Sequence, residues 1–209
     1  MKKLLKTYRL KKSAIRKRLS EFKKVQRRPD KKIFSELCFC ITTPQSKAVY
    51  CDRSIRGLEK SGALFKGSVD KIRSGLTGVR FPNNKARFIS EARKLFTTNG
   101  KVRVKDKLRT EDILSTRKWL VENVKGIGFK EASHFLRNIG LGGDLAILDV
   151  HILKNMKKYG IIKEPPKDLS GKNYLIIEKK LRKFSEKIGI PMDELDLLFW
   201  SEETGQIFK

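Results

Sequence analysis

The sequence predicts an all-α protein. Apolar residues recur at helical spacing through most of the 209 residues, and no stretch of any length alternates apolar and polar as a half-buried strand would. The pattern is most explicit around one tight glycine turn. A helix-like run ends at Asn123, Val124-Lys125-Gly126-Ile127-Gly128-Phe129-Lys130 follows, and a second helix-like run continues to Gly140.

In chain order, residues 1 to about 27 place Leu4, Leu5, Tyr8, Leu10, Ile15, Leu19, Phe22 and Val25 at helix-like intervals among lysines and arginines. This predicts a basic amphipathic helix with room for one break, whose charged face either tracks a polyanion or is simply solvated. Arg28-Pro29-Asp30 ends it. From residue 31, Ile33, Phe34, Leu37, Cys38 and Ile41 give a strongly apolar helix that stops near Thr42-Thr43-Pro44, and Gln45-Ser46-Lys47-Ala48 begins the next. Residues 51–62 and 68–78 are two short helical patterns, the second closed by Gly75 and Gly78. A turn at Arg80-Phe81-Pro82-Asn83-Asn84-Lys85-Ala86 enters a helix to about Thr97 with Ala86, Ile89, Ala92 or Arg93, Leu95 and Phe96 inward; Thr97-Thr98-Asn99-Gly100 reads as a loop.

Thr110 to Asn123 reads as an amphipathic helix capped by Thr110, with acids in its first turn and Ile113, Leu114, Leu120, Val121 and Val124 as its apolar set. The Gly-x-Gly turn after it is tight enough to leave the N–H groups of Gly126 and Gly128 pointing outward at a phosphate, with Lys125 beside them. In the second helix Phe129, Ala132, Phe135, Leu136 and Ile139 share one face, and Lys130, His134 and Arg137 the opposite one. Lys130 therefore faces away from the core in the first turn. Asp149 opens the next helix, to about Tyr159, where it caps free N–H groups and, between Leu148 and Val150, is partly buried. Pro165-Pro166 is a stiff connector, residues 170–188 form a helix with Leu175, Ile176, Leu181 and Phe184 inward, and Pro191 starts a last helix to about residue 203. The tail keeps Trp200, Ile207 and Phe208, which predicts that it is docked rather than frayed.

Forty-nine Lys and Arg against 23 Asp and Glu give a formal charge of +26, spread over every segment. An ion-paired surface of the heat-resistant kind is rich in both signs, so this excess favours a polyanionic partner, nucleic acid first. Length allows one domain or two lobes around a cleft. Cys38, Cys40 and Cys51 are odd in number and all early, which excludes a disulfide framework and leaves buried thiols in a reducing compartment. No apolar run reaches membrane-spanning length and the start lacks a signal-peptide pattern, so the expectation is a soluble, cytoplasmic protein.

The hairpin Val124–Lys130 resembles the helix-hairpin-helix element of the DNA base-excision glycosylases, and Leu148-Asp149-Val150-His151 resembles the loop and aspartate that complete that superfamily's signature. The intervening Gly140–Leu148 segment is glycine-rich but lacks the proline usual there. With Thr43-Pro44-Gln45-Ser46-Lys47 and the C-terminal stretch from Leu195 to Lys209, the resemblance runs over nearly the whole chain and is closest to the archaeal-type 8-oxoguanine DNA glycosylase/AP lyases, a compact branch of that superfamily.

The resemblance implies one unit, 1–209, in two helical lobes around a basic cleft with the hairpin at its lip. Residues 31–125 would form the central lobe, and 126–209 with 1–30 the second. It implies that Lys130 is a Schiff-base nucleophile, neutral when it attacks, and that Asp149 is its carboxylate partner. Gly126, Gly128 and Lys125 would hold backbone phosphate. Gln45 would enter the duplex where the target base has left, or else cap a helix. Asn84 and Lys85 suit phosphate or base contact, and Asn84 suits ordinary capping at least as well. Phe81, Trp200 and Lys209 would form the damaged-base pocket, with His134 either touching the extruded base or lying plainly on the surface. No cofactor is expected beyond a monovalent cation that hairpin carbonyls could hold; a cysteine-ligated iron–sulfur cluster is excluded by the cysteine count. The implied partner of this monomer is double-stranded DNA containing oxidised guanine, with no membrane. The implied activity is base-excision repair by a bifunctional enzyme: 8-oxoguanine is flipped out and excised, and the abasic strand is cleaved by β-elimination. A glycosylase for another damaged base, a monofunctional one and a non-catalytic helix-hairpin-helix DNA-binding protein are the alternatives.

Overall fold

The computed structural model describes residues 1–208; Lys209 lies outside the described residues. The helices are α1 Lys2–Val25, α2 Asp30–Thr42, α3 Ala48–Lys60, α4 Ala63–Lys66, α5 Val69–Gly75, α6 Pro82–Leu95, α7 Ile113–Asn123, α8 Phe129–Asn138, α9 Val150–Lys158, α10 Gly171–Ile188 and α11 Met192–Thr204. The all-α expectation holds with one small exception. Thr97–Thr98 (β1) and Lys101–Val102 (β2) pair antiparallel across Asn99-Gly100, both at positive φ (50° and 71°), the turn geometry that Asn-Gly favours. No helix among the described residues is long and apolar enough to cross a membrane.

α1 is continuous, without the break that its sequence allowed. Its first turn holds no acid and starts on Lys2 and Lys3, an arrangement that opposes the helix dipole, so its stability comes from packing. Leu4, Tyr8, Ile15, Leu19 and Phe22 are buried, whereas Leu10, expected in the apolar stripe, is 77 % exposed. The Tyr8 hydroxyl donates to Glu194 at 2.5 Å and the Lys11 ammonium to Ser201, which fixes α1 against α11.

Two hydrophobic cores result. One is built from Ile33 through Leu145 and contains α2–α6 and α7; the other joins α1 to α9, α10 and α11 through Leu4, Tyr8, Ile15, Ala146, Leu148, Ile152, Tyr174, Leu195 and Phe199, among others. The hairpin and α8, placed by sequence with the second lobe, contribute Ile127, Ala132, Phe135, Leu136 and Ile139 to the first core, and Phe129 to the second. The polar face expected for α8 is consequently covered. Ala132 through Asn138 are all buried. His134 packs edge-on against Phe39 of α2, the Arg137 guanidinium lies 4.9 Å over the Phe22 ring of α1, and Asn138 donates to Glu36 of α2.

Three other expectations shift. α7 is capped by Asp112, whose carboxylate accepts from the Ser115 N–H, not by Thr110, and Leu114 points to solvent. Leu95 is exposed while Phe96 is fully buried. In α10 the inward set is Tyr174, Ile177, Glu178 and Leu181; Leu175 and Ile176 are exposed. The three cysteines are buried and form no disulfide.

Candidate active site

The hairpin depends on glycine in two different ways. Gly126 has φ 81°, and a Cβ there would meet Phe88 Cδ2 at 2.5 Å, so both backbone conformation and close packing exclude a side chain. Gly128 is extended and serves as the N-cap of α8. Its N–H is not turned outward as expected: it donates to Glu131 Oε2 at 3.1 Å, the reach-back half of a capping box. Lys125 is exposed beside the hairpin, 3.7 Å from Glu91.

Lys130 stands in the first turn of α8, its side chain about three-quarters buried, and its Nζ lies 2.8 Å from Glu131 Oε1. One carboxylate thus holds both the hairpin amide and the candidate nucleophile. Glu131 was not a predicted site residue, although an acid three positions after a helix-capping glycine is a recognisable signal.

Asp149 is the N-cap of α9 and accepts from the His151 and Ile152 N–H groups, both through Oδ1, at 2.9 and 2.8 Å. Its cap role is as read from sequence, and the two bonds fix the carboxylate's aim. It lies in an acidic cluster. Burial pushes Asp196 of α11 up to about 7, the Arg137 guanidinium opposes that rise, and the charges of Asp149 and Asp193 add to it. The Arg137 Nη1 to Asp196 Oδ2 distance is 3.5 Å.

The turn between α2 and α3 comes to the same neighbourhood. Ser46 N–H donates to Thr43 O across Pro44 and Gln45, and Gln45, exposed at the tip, has φ 55°. That is the type II position which normally takes glycine or asparagine, so a glutamine there is strained. Phe81, at the start of α6, also has φ 55°, is 52 % exposed, and carries the Arg80 guanidinium over its ring. Ser46 joins the two tips: its Oγ accepts from the Arg80 N–H.

Lys85, a candidate DNA contact by sequence, is instead only 4 % exposed. Its ammonium donates to Thr42 O and Pro44 O, each at 2.7 Å, and to Ser46 Oγ at 2.9 Å, bracing the Gln45 turn from within. Burial holds its pKa below the usual lysine value; the Cys51 charge opposes the fall, as Glu131 does more weakly, and the Lys130 and Arg80 charges add to it. Asn84 is exposed and accepts from Arg87, not from the helix backbone. His134 is an interior residue rather than one on the surface. Trp200 is half-buried against Phe208 (ring centroids 6.4 Å) and His151 (6.3 Å), so the tail is docked through Phe208. Lys209 falls outside the described residues.

A helical body with two cores, a glycine hairpin opening on a lysine, and an aspartate capping the helix that follows fit the helix-hairpin-helix class of DNA-acting proteins. A family model described as 8-oxoguanine DNA glycosylase matches residues 15–190, and the chain belongs to that family. A protein named 8-oxoguanine DNA glycosylase/AP lyase from Fusobacterium nucleatum is 44 % identical over 206 residues, spanning 98 % of this chain and 95 % of that protein. A protein of the same name from Korarchaeum cryptofilum is 43 % identical over 93 % of this chain and 90 % of its own length. The crystal structure of the Methanocaldococcus jannaschii 8-oxoguanine glycosylase/lyase in complex with a 15mer DNA containing 8-oxoguanine superposes with a TM-score of 0.89 at 36 % identity, covering all of both chains.

Proposed function

We infer that this chain is a bifunctional 8-oxoguanine DNA glycosylase/AP lyase acting on double-stranded DNA. The observation that carries this reading is the placement of Lys130 on the first turn after the Gly126–Gly128 hairpin, in a family whose members carry that name.

The lesion has to leave the base stack before its sugar can be reached. Gln45, an exposed side chain on a strained turn, is suited to enter the gap that the extruded nucleotide leaves, and Phe81, exposed on the turn bonded to it through Ser46, is placed to meet the extruded base. Lys125 and the hairpin would hold the strand by its backbone without reading its sequence. With the Gly128 N–H already held by Glu131, hairpin carbonyls could hold a monovalent cation against a backbone phosphate. Trp200, beside Phe208, offers an aromatic wall to the base.

Lys130 Nζ then forms a bond to C1′ as the bond from C1′ to the base breaks, and Asp149 stabilises the developing positive charge on the sugar. The amine is ion-paired to Glu131, so attack requires the ammonium to leave that pair and give up a proton, for which Glu131 and Asp149 are the carboxylate acceptors at hand. The departing base takes up a proton; the C1′–O4′ bond then breaks, O4′ leaving as a hydroxyl, to give a protonated imine between Lys130 and the opened sugar. Loss of a C2′ proton from that imine expels the 3′ phosphate, and water adds to the imine carbon to release the Lys130 amine. The work is done at the chromosome.

A duplex carrying one 8-oxoguanine tests this. The wild type should release the base and nick the strand, whereas Lys130→Gln should bind the same duplex and do neither. Strand cleavage by Lys130→Gln at the wild-type rate would remove the reading.

A further inference from the structure

One buried polar cluster joins the two chain segments that carry the proposed reacting groups. Arg117 of α7 makes a bidentate pair with Glu178 of α10 (2.6 and 2.8 Å) and also donates to Ser133 Oγ of α8 at 3.1 Å. Glu178 accepts in addition from the Ala146 N–H at 2.8 Å. One turn earlier on α10, the Tyr174 hydroxyl donates to Ala146 O at 2.7 Å and accepts from the Leu148 N–H at 3.2 Å. The next residue is Asp149, whose own N–H turns back to Ile147 O at 2.7 Å. That is a three-residue reversal pivoting on Leu148. On the other side of the cluster the Tyr174 ring stacks on Phe129, 5.4 Å between centroids and 28° between planes, and the Arg117 guanidinium lies 5.3 Å over the same Phe129 ring. Phe129 directly precedes Lys130.

We propose that Arg117, Tyr174 and Glu178 are positioning residues for the reaction, a clamp that fixes the Asp149 carboxylate relative to the Lys130 amine. The proposal rests on the Lys130 and Asp149 assignment above. All three clamp residues are at most 4 % exposed, and burial raises the Tyr174 phenol's pKa so that it stays a neutral donor. Stability alone does not explain such a cluster, because well-packed apolar residues of the same volume usually hold a core as well as a buried ion pair does. What the polar groups add is direction. Tyr174 and Glu178, at i and i+4 on one helix, grip the backbone of Ala146 and Leu148 from one side, so the pivot before Asp149 has a single geometry.

Tyr174→Phe keeps the ring and removes the hydroxyl, and is expected to fold. On duplex DNA with a preformed abasic site, its single-turnover rate of borohydride-trappable Schiff-base formation should fall on the order of 10-fold, because small misplacements of reacting groups are costly. Its equilibrium affinity for that DNA should stay within about twofold of wild type, since no phosphate contact is touched. A merely structural role would lower the amount of trappable enzyme and leave the rate of the trapped fraction unchanged; that result, or rate and affinity falling together, overturns the proposal. Ser133→Ala, which removes the other hydroxyl of the cluster, should show the same split with a smaller fall, and supplies the test if Tyr174→Phe does not fold. Lys130→Gln is run beside them. If it still forms the adduct, the assignment of the nucleophile fails; if it does not and Tyr174→Phe reacts at the wild-type rate, only the clamp fails.

Discussion

Two buried arginine–carboxylate pairs flank the aspartate segment, and they are built differently. Arg117–Glu178 is bidentate and short, and its carboxylate also serves a backbone amide. Arg137–Asp196 meets at 3.5 Å, the Arg137 Nε and Nη1 make no hydrogen bond, and Asp196 is pushed up to about 7. Geometry decides which buried pair organises its surroundings and which remains electrostatically soft. The first grips the approach to Asp149, and the second lies within reach of the Asp149 charge itself. A well-formed pair thus holds the backbone leading to Asp149, and an adjustable one lies within reach of the Asp149 charge.

The comparison can be broken most directly at Glu178. Glu178→Gln should cost about 3–5 kcal/mol, because it leaves Arg117 buried without its counter-charge; urea unfolding measures it, and a loss as small as that of a surface mutant would end the distinction. Next comes the hairpin. Gly126→Ala should lose about 1–2 kcal/mol from the left-handed backbone alone and more from the contact with Phe88, with a matching loss of duplex affinity.

Asp196 gives a smaller effect with a definite sign. Its folded value of about 7 lies above the ordinary 3.8, so the folded protein retains a proton that the unfolded chain releases. The stability it contributes is therefore fully present below the ordinary value and is lost as pH rises through about 7. Melting temperature should decline over that window in the wild type and decline less in Asp196→Asn, with the two proteins most alike at the acid end; identical slopes would contradict the assignment. Lys125→Ala should be the mildest change, lowering the slope of log affinity against log salt by about 1 and leaving damage selection intact.

The hairpin, Lys130 and the capping Asp149 were legible in sequence because each is a local pattern: a glycine conformation, a first-turn position, an acid at a helix start. What escaped was tertiary. Hydrophobic ranking turns Leu175 and Ile176 of α10 inward, but the helix is rotated so that Tyr174 and Glu178 face the core, since Arg117 supplies a partner that periodicity cannot display. His134 and Arg137 read as a polar surface for the same reason: α1, α2 and α11 close over α8 from distant parts of the chain. Lys85 looked like one more cation of a basic helix and is a brace for the Gln45 turn. Glu131 alone was within reach of local reasoning.

The central claim is that Lys130 is the amine that bonds to the sugar. Borohydride reduction on an 8-oxoguanine duplex, followed by proteolysis and mass mapping of the DNA-linked peptide, tests it most directly. The adduct should lie on the peptide containing Lys130; an adduct on another lysine, or the same yield of adduct from Lys130→Gln, would contradict it.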